Sequence, residues 1–114
     1  MIVYGIPNCN TVKKALDWLQ AHQLDVQFHD YKKKGVTKAK LEEWAALAGW
    51  EALVNKKGTT WRQLAPEIQA GILNKEAAFD LIMQKPSVTK RPILESDEKI
   101  LIGFDAATYQ AFFK

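Results

Sequence analysis

Apolar and polar positions alternate along this chain in two different periods, and the switches between them predict a β-α-β opening, a long helical stretch and a β-β-α close. Ile2, Val3 and Tyr4 form a short apolar run ended by Gly5 and Pro7, the pattern of a buried strand entering a tight loop. From Thr11 the stripe Val12, Ala15, Leu16 and Leu19 repeats at i, i+3, i+4 and i+7, an amphipathic helix with Asn8 or Asn10 as its expected cap and Trp18 beside the stripe. Leu24, Val26 and Phe28 then alternate with Asp25, Gln27 and His29, the period of a strand covered on one face, with His29 on its outer side. Strand, helix and strand at this spacing imply a parallel pair joined by a right-handed crossover.

The pattern turns helical after Lys34 and Gly35. Thr37 is the expected cap for Leu41, Trp44, Ala45 and Ala48, and Gly49 ends that run. Pro66 and Gly71 bracket a short helix, with Gly71 just past its end, and Glu76 to Gln84 form another with Ala78, Leu81 and Ile82 turned inward. Ile93-Leu94 and Ile100-Leu101-Ile102 flank a polar turn and read as an antiparallel pair. Asp105 is the expected cap of a last helix carrying Tyr109, Phe112 and Phe113 on one face. A four-stranded mixed sheet covered by helices follows. The stretch between its second and third strands far exceeds the ~12 residues a crossover needs, so much of it forms an extra helical layer.

Length and composition narrow the class. At 114 residues, 47% hydrophobic and 25% charged, one globular domain is expected. No apolar run approaches the ~18 residues of a membrane-spanning helix, and the opening residues lack a secretion signal. A cytoplasmic protein with no membrane partner is expected. The net charge of +3 and the run Lys32-Lys33-Lys34 invite a nucleic-acid reading. Asp25, Asp30, Glu42 and Glu43 lie close by, however, and three lysines before a glycine read as a solvated loop, so no direct nucleic-acid contact is expected. His22 and His29 lack metal-motif spacing, so no metal site is expected, and His22 reads as a surface residue.

The single cysteine, Cys9, cannot close an internal disulfide, so any thiol chemistry must recruit a second sulfur from outside. It follows the first strand and precedes the first helix, where unsatisfied amides and roughly +0.5 of an elementary charge favour a thiolate. Lys13, one helical turn on, adds a cation, and Asn8 adds a polar neighbour. The bland alternative is a small buried hydrophobe. Lys90-Arg91-Pro92 places a guanidinium before the third strand, with Arg91 held extended by the proline. Spacing alone leaves Arg91 a surface charge and Pro92 trans, since only ~5–6% of X-Pro bonds in folded proteins are cis. Asn55 to Arg62 mixes cations and hydroxyls around Gly58 and is able to receive an anion. Its bland reading is a helix connection in which Thr59 or Thr60 caps the next helix and Trp61 enters the core.

Taken in order, the segments from Tyr4 to Ala15, Phe28-His29-Asp30-Tyr31, Gly49 to Leu53, Gly58 to Arg62, Lys90-Arg91-Pro92 and Gly103-Phe104 resemble the arsenate reductase-like and Spx family, most closely its YffB-type branch. The resemblance covers nearly the whole chain. It implies an α/β thioredoxin-like fold with a helical insertion at about residues 36–86, a nucleophilic Cys9, a cis Pro92 beside it and Arg91 directed at the cysteine site. Arsenate reductases of this family hold the oxyanion with two further arginines, which align at or near Asn55 and Gly103, so only Arg91 is retained unless Arg62 or Lys13 substitutes.

The branch is thought to comprise glutathione-dependent thiol reductases, which suits a lone cysteine. The expected function is thiol-disulfide reduction. Cys9 is its nucleophile, Arg91, Lys13 and Asn8 stabilise the thiolate, and Asn10, Thr11, Asn55, Arg62 and Pro92 contact substrate. No tightly bound cofactor is expected. Glutathione is the co-substrate, a glutathionylated or disulfide substrate the partner, glutaredoxin a further one, and the protein a monomer. The rivals are an Spx-like regulator that binds RNA polymerase, and an arsenate reductase coupled to glutathione and glutaredoxin. Spx-type switches often pair cysteines, whereas the position three after Cys9 is Val12.

Overall fold

Strand β1 (Ile2–Gly5) lies inside a four-stranded sheet, with β2 (Gln27–Asp30) parallel on one side and β3 (Ile93–Ser96) antiparallel on the other. Strand β4 (Lys99–Ile102) pairs antiparallel with β3 and completes the order β2-β1-β3-β4. The computed structural model describes residues 1–113. Among them no helix is long and apolar enough to cross a membrane. The chain divides into two compact units, a sheet unit (residues 1–31 and 91–114) and an inserted helical unit (Lys32–Lys90).

Register explains the core of the sheet unit. Val3 pairs with Phe28 and Leu94, so all three share one face. On that face Val3 and Leu94 cluster with Ala15 and Leu19 of helix α1 (Asn10–Ala21) and with Tyr109 of helix α7 (Ala106–Phe112). Trp18, Phe104 and Phe113 pack edge-on or tilted around the Tyr109 ring. Asp105 caps α7 as expected, its carboxylate accepting from the Thr108 amide at 3.0 Å and the Thr108 hydroxyl at 2.7 Å. On the opposite face the Tyr4 ring lies tilted against its neighbour His29, with ring centres 4.8 Å apart, and its hydroxyl donates to Glu95 at 3.4 Å. His22, at the end of α1, is exposed and stacks on Trp18 at 3.7 Å.

The inserted unit contains α3 (Lys38–Ala48), α4 (Thr59–Arg62), α5 (Pro66–Gly71) and α6 (Lys75–Gln84), with 3₁₀ turns at Trp50–Leu53 and Pro86–Val88. Leu41, Trp44, Leu53, Phe79 and Ile82 are fully buried or nearly so. Thr37 caps α3 by accepting from the Lys40 amide, and Asn74 caps α6 by accepting from the Ala77 amide. A short helix, α2 (Tyr31–Lys34), bridges the point where the chain passes from one unit to the other.

Several local expectations change. The second strand starts at Gln27 rather than Leu24, because Gln27 already pairs with Ile2 and its amide takes the Met1 carbonyl, leaving no partner strand for earlier residues. Lys32 to Lys34 are exposed, as a solvated segment should be, but are helical rather than a loop. Gly71 is the last residue of α5 instead of lying beyond it. Neither Thr59 nor Thr60 caps α4; both lie within it and Gly58 holds the cap position. Trp61 is half-buried rather than core, with the Lys56 ammonium 5.5 Å from its ring centre.

Candidate active site

The loop after β1 ends on Cys9, which occupies the N-cap position of α1 in an extended conformation (φ −127°, ψ 121°). Neither Asn8 nor Asn10 caps this helix. Asn8 precedes the cap, exposed, and Asn10 is the first helical residue. A side-chain oxygen at the N-cap would take the amides two and three residues on. Cysteine there leaves them to sulfur. The thiol makes no close cap hydrogen bond, but the Val12 and Thr11 amides favour the charged sulfur as hydrogen-bond donors.

Cys9 is half-buried, and that burial opposes its ionisation more than any other single influence. The Val12 amide, a hydrogen bond from the Arg91 guanidinium, the Thr11 amide and the Arg91 charge together outweigh it and hold the thiol below its ordinary value of 9.0. Arg91 is thus not the surface charge its spacing suggested. It is half-buried; desolvation works against its charge, and the hydrogen bond to Cys9 and the influence of Tyr31 overcome that and favour the cation. The Arg91–Pro92 peptide is cis, as the resemblance implied and against the reading from residues alone, and Pro92 is buried.

Tyr31 completes the cluster, and sequence reasoning gave it no role. Its side chain is fully buried, and burial pushes its hydroxyl up to about 12 although Arg91 pulls the other way. A signal existed: Tyr31 directly follows β2, whose parallel pairing with β1 brings both strands' C-terminal ends to the Cys9 loop.

The remaining expected site residues divide between the units. Lys13 is exposed on α1, and its amide donates to the Cys9 carbonyl at 2.9 Å. Thr11 is exposed and contributes through its backbone. Asn55 belongs to the inserted unit, where its side chain accepts from the Lys57 amide at 3.2 Å and its own amide donates to the Val88 carbonyl at 2.8 Å. Arg62 is exposed at the end of α4 in that same unit. Gly103 takes a positive φ of 81° just after β4, and its amide donates to the Pro92 carbonyl at 2.8 Å. Within the sheet unit the structure therefore brings together Cys9, Arg91, Tyr31 and the start of α1: a polarised thiol between helix amides and a fixed cation.

Known proteins are similar to this chain over most of their length. An uncharacterized protein of Haemophilus influenzae is 44% identical over 111 residues, which cover 97% of this chain and 96% of that protein. The solved structure of the YffB protein superposes with a TM-score of 0.90 at 39% identity, covering 96% of each chain. The global transcriptional regulator Spx of Lactiplantibacillus plantarum is 28% identical over 114 residues, covering 98% of this chain and 85% of the regulator. Residues 4–112, which span Cys9, Tyr31, Arg91 and Pro92, match the ArsC family, and the chain belongs to that thiol-based redox family with its thioredoxin-like fold.

Proposed function

We propose that the protein is a glutathione-dependent thiol-disulfide reductase working through Cys9 alone. The observation that carries this reading is the Cys9 sulfur held below its ordinary ionisation by helix amides and Arg91, in a chain with one cysteine. In the first step the Cys9 thiolate attacks the glutathione sulfur of a mixed disulfide. A Cys9–glutathione disulfide forms, the substrate sulfur–sulfur bond breaks, and the substrate leaves as a thiolate that takes a proton from solvent. In the second step a glutathione thiolate attacks the adduct at the glutathione sulfur. Oxidised glutathione departs and the Cys9 thiolate is restored, so one free glutathione is consumed, the substrate sulfur is released as a thiol, and the disulfide passes to the pair of glutathiones. Arg91 and the Thr11 and Val12 amides serve both steps, because negative charge leaves and returns to the same sulfur.

Oxidised glutathione should add one glutathione to the protein, visible as a mass increase in the intact chain. Cys9→Ser should abolish both the adduct and turnover of a glutathionylated substrate. An unmodified wild-type protein, or full turnover by Cys9→Ser, defeats the proposal. A second reading, a regulatory protein like Spx, is favoured by the 28% identity to that regulator across this chain. Thiol exchange is preferred because the cluster activates the lone thiol. Arsenate reduction is less supported, since Asn55 and Gly103 stand at or near where the oxyanion clamp requires arginines.

A further inference from the structure

Sheet register fixes which side chains flank the Cys9 loop. On one side of β1, Gly5 pairs with Asp30; on the other, Tyr4 pairs with Ile93. One residue beyond Asp30 is Tyr31, and two residues before Ile93 is Arg91, so both lie at the end of the sheet where β1 runs into the loop carrying Cys9. The chain leaves the sheet unit after Tyr31 and re-enters it at Arg91. Tyr31 is fully buried although it carries a hydroxyl, and that hydroxyl is hydrogen-bonded to Arg91. A guanidinium has donors and no acceptor, so the bond runs from an Arg91 N–H to the Tyr31 oxygen. The same guanidinium also acts on the Cys9 sulfur, as a hydrogen-bond donor and as a charge.

From this juxtaposition we infer that Tyr31 is a positioning residue, its buried hydroxyl fixing the Arg91 guanidinium against the Cys9 sulfur. The inference rests on Cys9 being the nucleophile of the proposed reaction, and it names the group that keeps the cation in place. An arginine side chain is long and flexible. Held at one point only, it swings away from a neutral sulfur once the Cys9 disulfide has formed. Held also by Tyr31, it remains in place when the thiolate is released in the second step. The planar fork suits this two-point grip, whereas a lysine ammonium, a point charge, does not.

Tyr31→Phe keeps the ring and removes only the oxygen, which separates positioning from packing. The readouts are Cys9 ionisation, followed by thiolate absorbance against pH, and alkylation by iodoacetamide at about pH 6. In Tyr31→Phe the ionisation midpoint should rise and alkylation should slow about threefold, with native circular dichroism retained. In an Arg91→Met background the same substitution should change neither, because a hydroxyl acting through Arg91 has nothing left to position. Arg91→Lys, with Tyr31 intact, should resemble Tyr31→Phe and provides a test should the phenylalanine variant misfold.

A folded Tyr31→Phe with wild-type ionisation and alkylation overturns the inference and leaves the proposed function standing. An undiminished Tyr31 effect in the Arg91→Met background overturns it too, as does Arg91→Lys with full wild-type reactivity. Should wild-type Cys9 titrate like free cysteine, the proposed function falls and this inference with it.

Discussion

At the scale of single residues, the contest at Cys9 is between partial burial, which disfavours a charged sulfur, and the Val12 amide, Arg91 and the Thr11 amide, which together prevail. The sign of the pH dependence follows. A thiol whose folded value is lowered adds stability above the ordinary value of 9.0, and that contribution is lost as pH falls through the lowered value. Reactivity should therefore rise at a lower pH than for free cysteine. Arg91→Met should move that rise back upward and slow glutathione adduct formation at neutral pH by about tenfold, the worth of one hydrogen bond to a charged group. Stopped-flow measurement of adduct formation across pH checks this, and an unchanged rate removes Arg91 from the chemistry. Cys9 was legible because its place between strand and helix is a local matter. Arg91 was not legible from residues alone, since spacing says nothing of a side chain folded back onto a distant loop, and only the resemblance directed it inward. Tyr31 was given no role although it closes one of the resembling segments; its signal lay in the parallel pairing of β1 and β2, which brings the end of β2 to the Cys9 loop.

Among the elements, the stripe on α1 and the caps of α3 and α7 were legible because each is a short-range pattern with one physical solution. The boundaries that failed depended on partners: β2 is cut short where β1 begins, and Cys9, in place of an asparagine, holds the N-cap position of α1 without a side-chain cap bond. The junction of β1 and α1 is also where packing and chemistry meet. A Cβ added to Gly5 would lie 2.8 Å from Cγ2 and 3.3 Å from Cγ1 of Val12. Val12 is buried and β-branched, so it has little rotamer freedom to move aside, and its amide is one that favours the Cys9 thiolate. Gly5→Ala should therefore push α1 away from β1, lower stability by about 1–3 kcal/mol and raise the Cys9 ionisation midpoint together. Thermal unfolding and thiolate absorbance measure the two effects. A destabilised variant with unchanged Cys9 ionisation would show that the helix start reseats independently of the sulfur.

For the molecule as a whole, 16 lysines and arginines against 13 aspartates and glutamates leave a net charge of +3 around a single cysteine sulfur. That balance bears on which disulfides reach Cys9. Two copies of the protein repel one another, so the cross-linked dimer open to any one-cysteine protein is disfavoured relative to reaction with an anionic disulfide. Oxidised glutathione carries several carboxylates and is net negative at neutral pH. Near the sulfur, Arg91 and the start of α1 present positive charge, and Lys13 and Lys14 are exposed on the first turns of that helix. Attraction between solvent-exposed charges is screened over ~10 Å at 0.1 M salt and ~3 Å at 1 M, so it should weaken as salt is added. Adduct formation with oxidised glutathione should accordingly slow by about three- to tenfold between about 0.01 M and about 0.5 M sodium chloride. The reaction of Cys9 with the uncharged disulfide of 2-mercaptoethanol should change little over the same range, since no long-range attraction brings it in. Parallel slowing of both disulfides would trace the salt effect to the ionisation of Cys9 itself, and a flat response with glutathione would show that selection among disulfides rests on contacts at the site instead of on the charge of the whole protein.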